Sequence, residues 1–183
     1  MNKGLFYFIF FFPLLGRFEA YSQEPLWKLA SDYEKAGNYS EAIRLKKQMA
    51  KEDAGTEWFI DDIAGIARCY SYTSDNDSTL FYGEYAIELA KTLINKADSV
   101  AEEYIQNSAW CFYRSNLYTQ AVNASEIVLS LREKLYGKGS AKYLEWLRVM
   151  SYQAYNHNQI DDVIKYCDKE ITIVKEHYGL QSR

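Results

Sequence analysis

The sequence predicts an all-α fold, a solenoid of four antiparallel helix pairs, and three observations predict it. The chain repeats itself every 42 residues: Ala67, Ala109 and Ser151 fall under one another, as do Tyr70, Phe112 and Ala154, and Cys69 aligns with Cys111. LREKLYG (131–137) stands one period before IVKEHYG (173–179), and an earlier unit around Ala30 and Tyr33 joins the frame at a spacing of 37. Turn-forming and helix-stopping residues recur at matching places in each unit. Periods in this range mark solenoids, in which each unit buries its apolar face only against its neighbours.

The elements follow in order. The first unit, about 25–55, predicts helices over 25–36 and 39–53, with Gly37-Asn38 as the turn, Ser40 as the second helix's N-cap and Gly55 as its stop. The second, about 57–95, predicts helices over 57–73 and 78–94 around Ser74-Asp75-Asn76, with Asp77 as cap and Asn95 as stop. The third, about 98–137, gives 98–115 and 119–136 around Ser115-Asn116, with Thr119 and Gly137 in those roles. The fourth, about 140–179, gives 140–157 and 160–178 around His157-Asn158, with Asp161 and Gly179. Ser, Thr and Asp accept from unpaired first-turn amides, and Gly or Asn enters the left-handed region past a helix end. Ala30, Ala67, Ala109 and Ser151 let the paired helix approach, while Tyr33, Tyr70 and Phe112 fill the space one turn on. Those positions are core.

The amino terminus is a separate object. Lys3 precedes an apolar run from Leu5 to Leu15, broken only by Pro13, and Ala20 and Ser22 stand where a cleavage before Gln23 would need small residues. A bilayer span takes about 20 apolar residues, so residues 1–22 read as a signal peptide, with an uncleaved membrane anchor as the alternative, and 23–183 as the mature repeat domain. The expected location is outside the cytoplasm, periplasmic or secreted, with no membrane span in the mature chain. Cleavage leaves 19 basic against 24 acidic side chains, which argues against nucleic acid as a partner.

Cys69, Cys111 and Cys167 are an odd count. The first two would sit on parallel helices roughly 10 Å apart, beyond the reach of about 7 Å that a disulfide needs. Both read as buried small hydrophobes, and no disulfide is expected. With only His157 and His177 available, no metal site or cofactor is expected either. The sequence holds no nucleophile elbow, HExxH, P-loop or GxGxxG, so it does not read as an enzyme. Asp61-Asp62 and Asp161-Asp162 lie at helix starts, where carboxylates stabilise the macrodipole.

Ala30-x-x-Tyr33-x-x-x-Gly37-x-Tyr39-x-x-Ala42 resembles a tetratricopeptide repeat, and Ala109-x-x-Phe112 … Tyr118-x-x-Ala121 is similar. The second unit departs from the pattern at Asn76 and Thr79, the fourth at Ala154, Ile160 and Val163. The long period and REKLYG (132–137) resemble the variant found in kinesin light chains and in exported and signalling proteins of bacteria. The resemblance implies a right-handed array that scaffolds protein interactions, with a concave groove lined by the first helix of each pair. Its lining would be Trp27 with Ser31, Glu34 and Lys35; Arg68 and Tyr72 with Ala64 and Ser71; Trp110, Tyr113 and Arg114 with Gln106; and Arg148, Tyr152, Tyr155 and Asn156. Trp, Tyr and Arg are the commonest interface hot spots, and the arginines suit an acidic peptide. No fifth helix pair follows Gly179. The expectation is therefore a partner capping the last helix, or a carboxy-terminal continuation that would make this the sensory input region of a longer signalling protein with a histidine kinase or protease effector.

Overall fold

The computed structural model describes residues 24–179, and among them the fold is eight α-helices. They are α1 (Leu26–Lys35), α2 (Tyr39–Glu52), α3 (Phe59–Tyr72), α4 (Asn76–Lys91), α5 (Asp98–Arg114), α6 (Tyr118–Tyr136), α7 (Ala141–Asn156) and α8 (Ile160–Tyr178). Each helix packs on its chain neighbours, and α3 also packs on α5. Residues 1–22, expected to be a signal peptide, and the tail 180–183 lie outside the described residues.

One backbone device joins every pair. Gly37, Ser74, Asn116 and Asn158 occupy a single repeat position, and all four have positive φ, +75°, +59°, +57° and +57°. In three of the four turns the next amide, that of Asn38, Leu117 or Gln159, donates to the carbonyl five residues back, on Tyr33, Phe112 or Ala154. This is the Schellman closure, which satisfies the last carbonyls of one helix. The same residue starts the next helix.

That economy displaces the expected caps. The N-caps are Asn38, Asp75, Leu117 and Gln159, two residues before Ser40, Asp77, Thr119 and Asp161. Asn38 and Asp75 accept from the amides of Glu41 and Ser78, at 3.4 and 3.0 Å. Leu117 and Gln159 make no side-chain cap. Leu117 instead packs on the apolar cluster that holds Phe112, so the turn is anchored by burial. The residues expected as caps sit in the first turn, where Asp77 and Asp161 still face the helix dipole. The stops at Gly55, Asn95, Gly137 and Gly179 all have positive φ, although α4 itself ends at Lys91 and reaches Asn95 through a run of turns.

The core is a series of three clusters. Ala42, Ile43 and Cys69 form one; Ala50, Ile63, Ala64, Ile66 and Ala86 another; the largest runs from Ile60 to Ile173 through α5, α6 and α7. Ala30, Ala67, Ala109, Ala42 and Ala121 are fully or almost fully buried. Thr79 replaces alanine at the same depth because its hydroxyl donates to the Asp75 carbonyl at 2.8 Å. Gly83 does similar service for bulk: a Cβ there would stand 2.5 Å from the Phe112 ring. The Arg132 guanidinium, in the REKLYG segment, is buried between Glu102 (2.8 Å) and the Lys142 carbonyl (2.7 Å), with its face on Trp146.

Candidate functional site

The first helices of the pairs, α1, α3, α5 and α7, carry all ten residues singled out as groove lining, and side-chain bonds connect consecutive members. Between α1 and α3, Arg68 Nη2 donates to Glu34 Oε2 at 3.0 Å and Nε to the other oxygen. Between α3 and α5, the Tyr104 hydroxyl donates to Asp61 (2.8 Å) and Arg114 Nη1 to Ser71 Oγ (2.9 Å). Between α5 and α7, Asn156 Nδ2 donates to the Tyr113 hydroxyl at 2.7 Å. The last three bonds span 43 residues each, one period plus one.

These bonds change what the arginines can offer. Arg68 commits Nε and Nη2 to Glu34, which Lys46 also approaches at 3.4 Å from α2. Burial pulls the Glu34 carboxyl up, but Arg68 and Lys46 together hold it below its ordinary value. Arg148 pairs with Glu170 at 2.6 Å. Arg114 alone among the described arginines is in no ion pair. Its guanidinium lies 4.0 Å from the Tyr72 ring centre, and Tyr72 stacks on Tyr39 at 4.9 Å and 5°. Gln106 is likewise used internally, accepting from Arg132.

Further along, Trp110 meets Tyr113 and Trp146 edge-on, at 5.6 and 6.2 Å, and Tyr113 lies 6.4 Å from Tyr152. Trp110 and Tyr113 are half-buried, so part of their surface packs the array. Tyr152 and Tyr155 are 57% and 65% exposed, far beyond what packing explains. They share a shallow cleft over α8 with Arg148 and Cys167. His157 is wedged between Tyr113 and Tyr118, a packing role.

At the other end, Trp27 and Arg68 line a cavity of about 640 Å³ between α1, α2 and α3. Its remaining wall was not read from the sequence as part of a site: Lys46, Met49 and Asp53 from α2, with Trp58, Asp61 and Asp62 at the start of α3. Asp61-Asp62 does begin a helix, but Asp62 is only 3% exposed and its Oδ2 has no hydrogen-bond partner. Burial first, and the nearby Asp53 second, push its carboxyl up to about 7, with Lys46 opposing them. Asp61 and Asp62 both lie in the first turn of α3, the one exposed and the other buried. Trp58 also borders a second cavity of about 450 Å³, with Leu93, Val100 and Tyr104.

Cys69 and Cys111 are buried free thiols, and burial raises the Cys69 thiol to about 11, leaving it a poor nucleophile at neutral pH. Among the described residues no three His, Cys, Asp or Glu side chains are gathered as metal ligands, and no helix is long and apolar enough to cross a membrane.

No family model matches the sequence, and no curated protein matches it. The fold has solved counterparts. BtubC (BKLC) from P. vanneervenii superposes with a TM-score of 0.61 at 15% identity, over 86% of this chain. The chain spans 63% of that protein's length. Two structures of Podosopora anserina kinesin light chain nearly identical TPR-like repeats align at 14% and 15% identity. They cover 85% and 82% of this chain and 95% and 94% of theirs, with TM-scores of 0.34 and 0.33, too low to add to the argument.

Proposed function

We propose that this all-α array of helical repeats is an exported scaffold, periplasmic or secreted, of tetratricopeptide-like kind, that holds a peptide or protein partner along the face of α1, α3, α5 and α7. Arrays of this kind present extended surfaces and rarely chemistry, and the reading is of a binding protein without catalysis. The observation that carries it is the set of exposed aromatics on one face, Trp27, Tyr72, Tyr152 and Tyr155, at 63%, 45%, 57% and 65% exposure. Aromatic surface of this kind supplies interface hot spots at low entropic cost. Arg114, unpaired and stacked on Tyr72, is the group suited to an acidic side chain of the partner.

A second reading has its own support. The outer side of α8 exposes Ile160, Ile164 and Ile171 at 57%, 54% and 50%, with Tyr178 at 58%, on one stripe of the helix. Cover by a fifth repeat unit would fit the sensory input region of a longer signalling protein, and cover by a partner would fit the scaffold.

The test is capture of partners by the full chain, compared with Arg114→Ala and Tyr155→Ala, both at exposed positions. Partner loss in either variant, with the helical signal intact, supports the face; full retention in both rejects it. Removal of residues 1–22 during expression in a secreting host checks export.

A further inference from the structure

We propose that the cavity between α1, α2 and α3 binds an organic cation, the ammonium or guanidinium head of a basic side chain, held by the carboxylates of Asp62 and Asp53 between the indoles of Trp27 and Trp58. Two independent features converge there. The first is Asp62, 3% exposed, in the cavity wall, with Oδ2 unpartnered. A buried carboxylate without a donor is an expensive state that folded proteins retain only rarely. The second is a pair of tryptophans on the same cavity, 63% and 60% exposed, whose indole faces are the best aromatic partners for a cation.

The charges on the wall decide the sign of the ligand. From α2 come Asp53 and Lys46, from α3 Asp61, Asp62 and Arg68, and from α1 the neighbouring Glu34. Both cations are committed to Glu34 of α1, Lys46 from α2 and Arg68 from α3. Asp61 already accepts from Tyr104. Among the described residues Asp53 and Asp62 have no cation within ion-pair distance, Lys46 acting on Asp62 only from further off, so a positive head group would complete the cavity. Met49 supplies an apolar wall for an aliphatic stem. A volume of about 640 Å³ holds a long side chain together with its backbone. Because the Asp62 carboxyl is raised to about 7, the ionised form that attracts a cation grows as pH rises through neutrality. That the cation arrives on a peptide rests on the proposed interaction face; that the cavity binds it does not.

The experiment follows the indole N–H signals of Trp27 and Trp58 by nitrogen-15 NMR of the full chain. Probes are Nα-acetyl-lysine amide, Nα-acetyl-arginine amide, the neutral Nα-acetyl-norleucine amide and calcium chloride. Saturable shifts with either cationic amide are expected, at least about tenfold weaker for norleucine, and weaker at pH 5.5 than at pH 8. Asp62→Asn should abolish them, and Trp58→Ala should weaken them with circular dichroism unchanged. Equal binding of norleucine, unchanged affinity in folded Asp62→Asn, no saturation by either cation, or displacement of both amides by calcium at lower concentration would each overturn the proposal. An Ala-Ala-Lys-Ala-Ala peptide separates the two readings. Tighter binding than the single residue ties the cavity to the interaction face; equal binding leaves a cation site and removes that link.

Discussion

Replacing Asp62 by Asn should make this protein more stable, and more so at pH 8 than at pH 5. The carboxyl titrates near 7 in the folded chain against an ordinary 3.8. Each pH unit of such a difference is worth about 1.4 kcal/mol, so the fully ionised group opposes folding by roughly 4 kcal/mol above neutrality. The sign follows from proton counts. Between the two values the folded chain binds more protons than the unfolded chain, so stability falls as pH rises through that window and recovers as pH drops. By the same relation the penalty is about 2 kcal/mol at pH 5 and less than about 1 kcal/mol at pH 4. Asn keeps the shape and removes the charge. Urea denaturation of wild type and variant at pH 8, 5 and 4 measures the effect, since titration elsewhere cancels in the difference. A gap that stays constant with pH, or a variant less stable than wild type at pH 8, would refute the reasoning.

Other expectations follow from packing and backbone geometry. Gly83→Ala drives a Cβ into the buried Phe112 ring and should cost about 1–3 kcal/mol. Gly65→Ala meets only the far end of Lys46, so helix propensity should leave it neutral or up to about 1 kcal/mol more stable; thermal melts separate the two. Arg132→Met strands Glu102 in the interior, both being 8% exposed, and should cost about 3–5 kcal/mol. Adding Glu102→Leu should recover most of that loss in denaturant titrations. Gly37→Ala faces open space but keeps a φ of +75°, so it should lose about 1–2 kcal/mol from backbone strain alone.

The helices and their punctuation were legible because few residue types satisfy those backbone demands. A left-handed turn residue must be Gly, Asn or a tolerant substitute, and positions 37, 74, 116 and 158 declare it. The caps were misplaced by two residues because Asn38 and Asp75 serve the turn and the cap at once, while at Leu117 and Gln159 a Schellman closure stands in for a side-chain acceptor, helped at Leu117 by apolar burial. For the proposed interaction face, repeat spacing named positions on α1, α3, α5 and α7 but not their side-chain pairings. That Arg68 is spent on Glu34 and Arg148 on Glu170 depends on rotamers meeting across helices, which repeat spacing does not encode. Asp62 illustrates the same limit: two adjacent acids at a helix start look alike in sequence, and the packing beside them exposes one and buries the other.

The bonds that cross from one odd-numbered helix to the next have a mechanical consequence. Each repeat boundary on that face is tied by side-chain bonds, two between α1 and α3, two between α3 and α5 and one between α5 and α7. A load that straightens the array must stretch these ties in parallel with the packing of each helix on its neighbours. The molecule should therefore yield boundary by boundary, giving first between α5 and α7, where a single tie bears the strain, and behave as a graded spring rather than a rigid rod.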